Sequence, residues 1–95
     1  MTKTFAMIDL NSGFVWGVET ALDAVSACRQ MDEAIGAYGR SYDEGLASDT
    51  RGGTDGYAVY EAPAGFDVTD GQDVEQIAAV EALPRVAVVL IGDAA

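Results

Sequence analysis

Carboxylates are the side chains of this sequence with the most chemistry in them, and the densest group lies in FDVTDGQDVEQ, residues 66–76. Asp67, Asp70, Asp73 and Glu75 fall there without a cation. Closely spaced oxygen ligands are what a calcium loop needs, but an EF-hand places acids at positions 1, 3 and 5, glycine at 6 and glutamate at 12. Counting from Asp67, those later positions hold Thr69, Gly71, Gln72 and Ala78, and no other register does better. No metal site is expected. A helix start explains part of the cluster. Thr69-Asp70-Gly71-Gln72 has the spacing of a capping box, and Asp70 could itself be the cap. Asp73 and Glu75 would then complement the positive end of the helix dipole.

Other chemistries fare worse. Histidine is absent, which removes the usual general base and every Ser-His or Cys-His nucleophile. Asp43-Glu44 is the nearest thing to a catalytic acid pair, but such a pair needs a pocket that separates the two pKa values. The Gly- and Ser-rich surroundings offer none. An interface fits that stretch better, because Tyr38, Arg40 and Tyr42 lie beside the two acids, and Tyr and Arg are enriched at binding hot spots. The single cysteine, Cys28, sits between Val25 and Met31 at helical spacing and reads as a small core hydrophobe. No glycine-rich phosphate loop is present. No catalytic residue, cofactor or enzymatic activity is expected.

The charge is lopsided. The chain carries 16 acids against 5 bases, a formal net charge of −11. Residues 57–83 hold Glu61, Asp67, Asp70, Asp73, Glu75 and Glu81 and no base at all. Polyanions repel such a surface, so nucleic acid and anionic membrane are disfavoured as direct partners, and a basic protein surface is favoured.

The elements that must position these groups follow from periodicity. Thr4–Leu10 and Phe14–Glu19 read as strands joined by a hairpin at Asn11-Ser12-Gly13, with Phe14, Trp16 and Val18 on a core-facing side. Thr20–Asp23 resembles a capping box, and Leu22, Val25, Cys28, Met31 and Ile35 mark a helix that Gly36 ends. A short edge strand is expected around Tyr38–Asp43 within the irregular stretch 37–56. Tyr57–Ala62 is a strand. A second helix is expected from about Gly71 to Leu83, its buried stripe being Val74, Ile77, Val80 and Leu83, with Pro84 as the stop. Val86–Ile91 is apolar on both faces and reads as a central strand. Helix two lies between the last two strands, so a right-handed crossover could make that pair parallel.

The expectation is a single α+β domain over residues 1–95, ordered β-β-α-(β)-β-α-β. Two helices would pack on one face of a small, mainly antiparallel sheet of four to five strands. With no signal peptide, linker or run near the ~20 apolar residues of a membrane span, a cytoplasmic location is expected.

In size, acidity, α+β pattern and lack of catalytic residues, the chain resembles the anti-CRISPR and anti-restriction inhibitors encoded by phages and plasmids. The stretch that carries the likeness is EAPAGFDVTDGQDVEQIAAVE, residues 61–81. The resemblance implies stoichiometric inhibition, by a protein from a mobile genetic element, of a nucleic-acid-handling complex whose basic surface it occupies, either as a nucleic-acid mimic by charge or by blocking assembly. The resemblance carries over no residue; from the cation-free segment and the Tyr/Arg cluster, the partner-binding residues would be Glu61, Asp67, Asp70, Asp73, Glu75 and Glu81, with Tyr38, Arg40, Tyr42, Asp43 and Glu44. The alternative is a small homodimeric accessory protein of antitoxin type, pairing through the edge strand.

Overall fold

Central strands that are apolar on both sides need covering twice, and that requirement shapes this chain. A computed structural model describes residues 1–36, 40–45 and 55–93. The elements are β1 (Lys3–Asp9), β2 (Val15–Ala21), α1 (Ala24–Ala34), β3 (Arg40–Gly45), β4 (Gly56–Ala62), α2 (Val74–Glu81) and β5 (Arg85–Asp93). The strands form one sheet in the order β2-β1-β4-β5-β3, with every neighbouring pair antiparallel. The α+β class and element order are those expected, and the edge strand falls at Arg40–Gly45. Tyr38 lies outside the described residues. Among the described residues no helix is long and apolar enough to cross a membrane.

The two helices do not share a face, contrary to expectation. Residues directly opposite in an antiparallel pair point the same way, so the register sorts the side chains. Phe5, Met7, Tyr57, Val59, Ala87 and Val89 pack with Ala24, Ala27, Cys28 and Met31 of α1. Ala6, Ile8, Ala58 and Tyr60 pack with Val80 and Ile77 of α2. Both faces of β1 and β4 are apolar, and one helix covers each. The β4–β5 pair is antiparallel rather than parallel. The connection carrying α2 returns to the end where β4 finishes, and there the Glu61 backbone N–H donates to the Pro84 carbonyl at 2.9 Å.

The hairpin is tied by Asp9, whose carboxylate accepts from the Ser12 backbone N–H at 2.9 Å and its hydroxyl at 2.8 Å. Past the turn the register slips. Met7 faces Gly17 while Ile8 faces Val15, which leaves Trp16 as the extra residue of a β-bulge. Phe14, Trp16 and Val18 therefore do not share a core-facing side. Val18 packs with the α2 cluster. Trp16 turns toward α1's side, its ring 5.8 Å from that of Tyr57, and stays 46% exposed.

Helix α1 begins one turn later than its capping-box pattern suggests. Asp23 is the N-cap, its carboxylate accepting from the Ser26 N–H at 2.8 Å. Its buried stripe is Ala24, Ala27, Cys28, Met31 and Asp32, whereas Leu22 and Ile35 are exposed. Small residues set the helix close to the sheet. A Cβ at Gly17 would stand 2.9 Å from the Met31 sulfur.

Asp32 is wholly buried, yet both its oxygens are satisfied. The Tyr42 hydroxyl donates to one at 2.6 Å and the Tyr57 hydroxyl to the other at 2.7 Å. This triad ties α1 to β3 and to β4. Burial, followed by these hydrogen bonds, raises both phenols above their ordinary value. Burial and the charges of Asp32 and Glu44 push the Cys28 thiol up to about 12.

Groups whose folded pKa is raised contribute stability that is complete below their unfolded values, 9.0 for Cys and 10.0 for Tyr, and lost as pH rises through the folded ones. Urea unfolding followed across pH should therefore show no loss from these three groups below about pH 9 and a steady decline above it. Asp32→Ala strands two hydroxyls and should cost about 2–4 kcal/mol at neutral pH. Equal stability of the variant and the wild type would show that the triad does not hold α1 in place.

Candidate acidic interface

The segment that sequence treats as one acidic unit is divided by the fold. Glu61 lies on β4 opposite Phe5, on the α1 side of the sheet. There it meets Lys3, with N···O 3.4 Å. A base absent from the segment is thus supplied by β1. Glu44 shares that side, lining with Asp23, Lys3 and Glu61 a shallow cleft of about 260 Å³. Side chains alternate along β3, so Asp43 and Glu44 point to opposite faces and form no carboxylate pair.

The remaining five acids stand on the α2 side, in the loop after β4 and on the helix. Asp70 and Asp73 build the helix start. Asp73 is the N-cap, accepting from the Gln76 backbone N–H at 3.1 Å. Asp70 accepts from the Gln72 N–H at 3.0 Å. The Thr69–Gln72 capping box does not form; instead the Gln76 side-chain oxygen ties down the loop before the helix, accepting from the backbone N–H groups of Thr69 at 2.8 Å and Asp70 at 3.1 Å, while the N-cap's own N–H donates to the Asp70 carbonyl at 3.2 Å. Helix α2 is correspondingly shorter than its pattern suggests, and Val74, expected in its buried stripe, is 78% exposed.

Asp67, Glu75 and Glu81 are different. All three are exposed, and among the described residues none takes part in an ion pair or a side-chain hydrogen bond. Glu75 complements the dipole from the first turn. Glu81 occupies the last turn, where negative charge opposes the dipole by roughly 0.3–1 kcal/mol. Helix stability accounts for Glu75, but not for Glu81.

In the stretch expected to bind alongside Asp43 and Glu44, Tyr42 is largely engaged inside the protein. Its hydroxyl holds Asp32, and Arg29 lies over its ring, 5.2 Å from the centroid. Arg40 opens β3 opposite Asp93.

Sequence reasoning passed over Asp32, which sits four residues after Cys28 on the buried stripe and reads as a surface charge only when the stripe is drawn through Leu22 and Ile35. It also passed over an open cleft of about 650 Å³ between β2 and the loop before α2. Phe14, Trp16 and Ile35 line one part of it, and Thr69, Asp70 and Gln72 another. The two sides are pinned where the Val15 N–H donates to the Gly71 carbonyl at 2.9 Å. The approach leaves no room for a Cβ at Gly71, which would collide with the Val15 carbonyl oxygen. Among the described residues no group of three or more His, Cys, Asp or Glu side chains is placed to hold a metal ion.

The division of the acids can be checked by stability alone. Asp73→Ala should cost about 1 kcal/mol through the lost cap, while Asp67→Ala should change stability by less than about 0.5 kcal/mol. Equal costs in chemical unfolding would refute the division. Comparison with protein families, curated proteins and solved structures finds no match for this chain.

Proposed function

We propose that this chain is a non-enzymatic acidic binding module that inhibits a nucleic-acid-handling protein or complex by occupying its basic surface. It would act in the manner of the anti-CRISPR and anti-restriction inhibitors. The observation that carries this reading is the placement of Asp67, Glu75 and Glu81. They project into solvent from one loop and one helix, without an ion pair or side-chain hydrogen bond among the described residues, and only Glu75 also serves its helix, through the dipole. In a chain of net charge −11, such a face repels other anions and accelerates encounter with a basic surface. Glu81, set against its own helix dipole, is the most telling of the three. Asp70 and Asp73 add charge to the same side while holding the turn.

The open edge supports the second reading. Among the described residues β3 pairs only with β5, on one side, and an edge strand of this kind supports pairing with a second copy. Asp43 and Glu44 on that strand oppose such pairing by like-charge repulsion.

Capture of binding proteins from a lysate at low and high salt, with Asp67, Glu75 and Glu81 together changed to lysine, separates the readings. The wild-type chain should retain a basic protein at low salt, and the reversed chain should lose it while keeping its circular dichroism and unfolding midpoint. Undiminished capture by the folded, reversed chain would reduce these acids to a solvated surface.

A further inference from the structure

Trp16 is the chain's only tryptophan, and the fold holds it half in water. We propose that Trp16, together with the concavities on its two sides, is the point where an arginine side chain of the basic partner docks. This inference rests on the reading that the partner is basic, and it names the contact that would anchor it.

Three features carry it. The first is presentation. Trp16 is the inserted residue of a bulge, the device by which a strand re-aims one side chain. Phe14 at 39% exposure and Ile35 at 51% lie with it along the larger cleft. Single exposed hydrophobics are ordinary; three lining one concavity form a patch.

The second is rigidity. The indole leans on the Tyr57 ring, which is itself buried and hydrogen-bonded to Asp32. The opposite wall is pinned by the Val15–Gly71 contact. A site ordered in advance loses little entropy on binding.

The third is charge. Asp70 lines the larger cleft. A second cleft, of about 150 Å³, opens on the other side of Trp16 between Asp9 and Asp55. Asn11 donates to the Asp55 carboxylate at 2.8 Å, which fixes its direction and leaves acceptor capacity free. Carboxylates thus line both of the clefts that Trp16 borders. A planar guanidinium can stack on the ring and donate to a neighbouring carboxylate at the same time, which an ammonium does less well.

The test is calorimetric titration with a short oligo-arginine peptide at low salt, with oligo-lysine and a neutral peptide as controls and Trp16 emission read in parallel. Wild-type chain should bind oligo-arginine more tightly than oligo-lysine, with a saturable emission change. Trp16→Ala should weaken binding about tenfold, between the effect of an exposed cation–π contact and that of one shielded from water. Asp55→Asn should weaken it by a smaller factor. If Trp16→Ala does not fold, Trp16→Phe takes its place, with a partial loss expected. Binding by a folded Trp16 variant as tight as wild type, or no binding by the wild type, overturns the proposal. Should the chain reversed at Asp67, Glu75 and Glu81 lose binding while Trp16→Ala keeps it, the acidic-interface reading stands and the tryptophan site falls. Should both variants bind as wild type, the acidic-interface reading falls as well.

Discussion

One buried carboxylate sets the geometry of this molecule. A charge out of water is costly unless its oxygens are met by donors, and Asp32 meets that condition only when α1 is rotated so that two tyrosines from different strands reach it. That rotation turns Ala24, Ala27, Cys28 and Met31 inward and leaves Leu22 and Ile35 outside. It requires glycine at position 17, against Met31. It also fixes Tyr57, on whose ring Trp16 leans. One hydrogen-bonded group thereby connects the α1 core, the edge strand β3 and the exposed aromatic on β2.

The sheet also explains how so acidic a chain remains folded. Several acids are engaged within it: Asp9 ties the hairpin, Asp23 and Asp73 cap the helices, Asp70 closes a turn and Asp32 anchors α1. Each accepts hydrogen bonds from donors within the fold, so its carboxylate serves the structure. Asp67, Glu75 and Glu81 accept no such hydrogen bonds among the described residues, and salt screens their exposed charges. They lie on the side covered by α2, which is the less deeply packed helix, with Val80 its single buried residue.

Much of the architecture was legible because periodicity reports burial. Continuous apolar character marked β5, the run Tyr57–Ala62 before Pro63 marked β4, and the spacing of Cys28 and Met31 marked α1. The faces of the sheet were not legible in the same way. Ala6 and Ala58 are weak hydrophobic signals, yet both are buried beneath α2, so the need for a helix on each side did not stand out. The bulge at Trp16 is invisible to period-two reasoning, since it breaks the period. The acids misled for a related reason. Sequence joins Glu61 to Asp67 and Asp70, but the sheet carries Glu61 to the other face and sets Lys3 beside it. The helix start was read one turn early: the cap is Asp73 rather than Asp70, and the expected capping box does not form, because Gln76 accepts from Thr69 and Asp70 and not from the N-cap's own N–H.

The central claim is that an unpaired acidic face guides this chain to a basic protein, and the association rate tests it most directly. Once a partner is captured, the rate should be measured by stopped flow across ionic strength, with Trp16 emission as the signal. Electrostatic guidance predicts a rate that falls steeply as salt shortens the reach of surface charge, by at least about tenfold between low and physiological salt, while the dissociation rate changes little. An association rate independent of salt would contradict it.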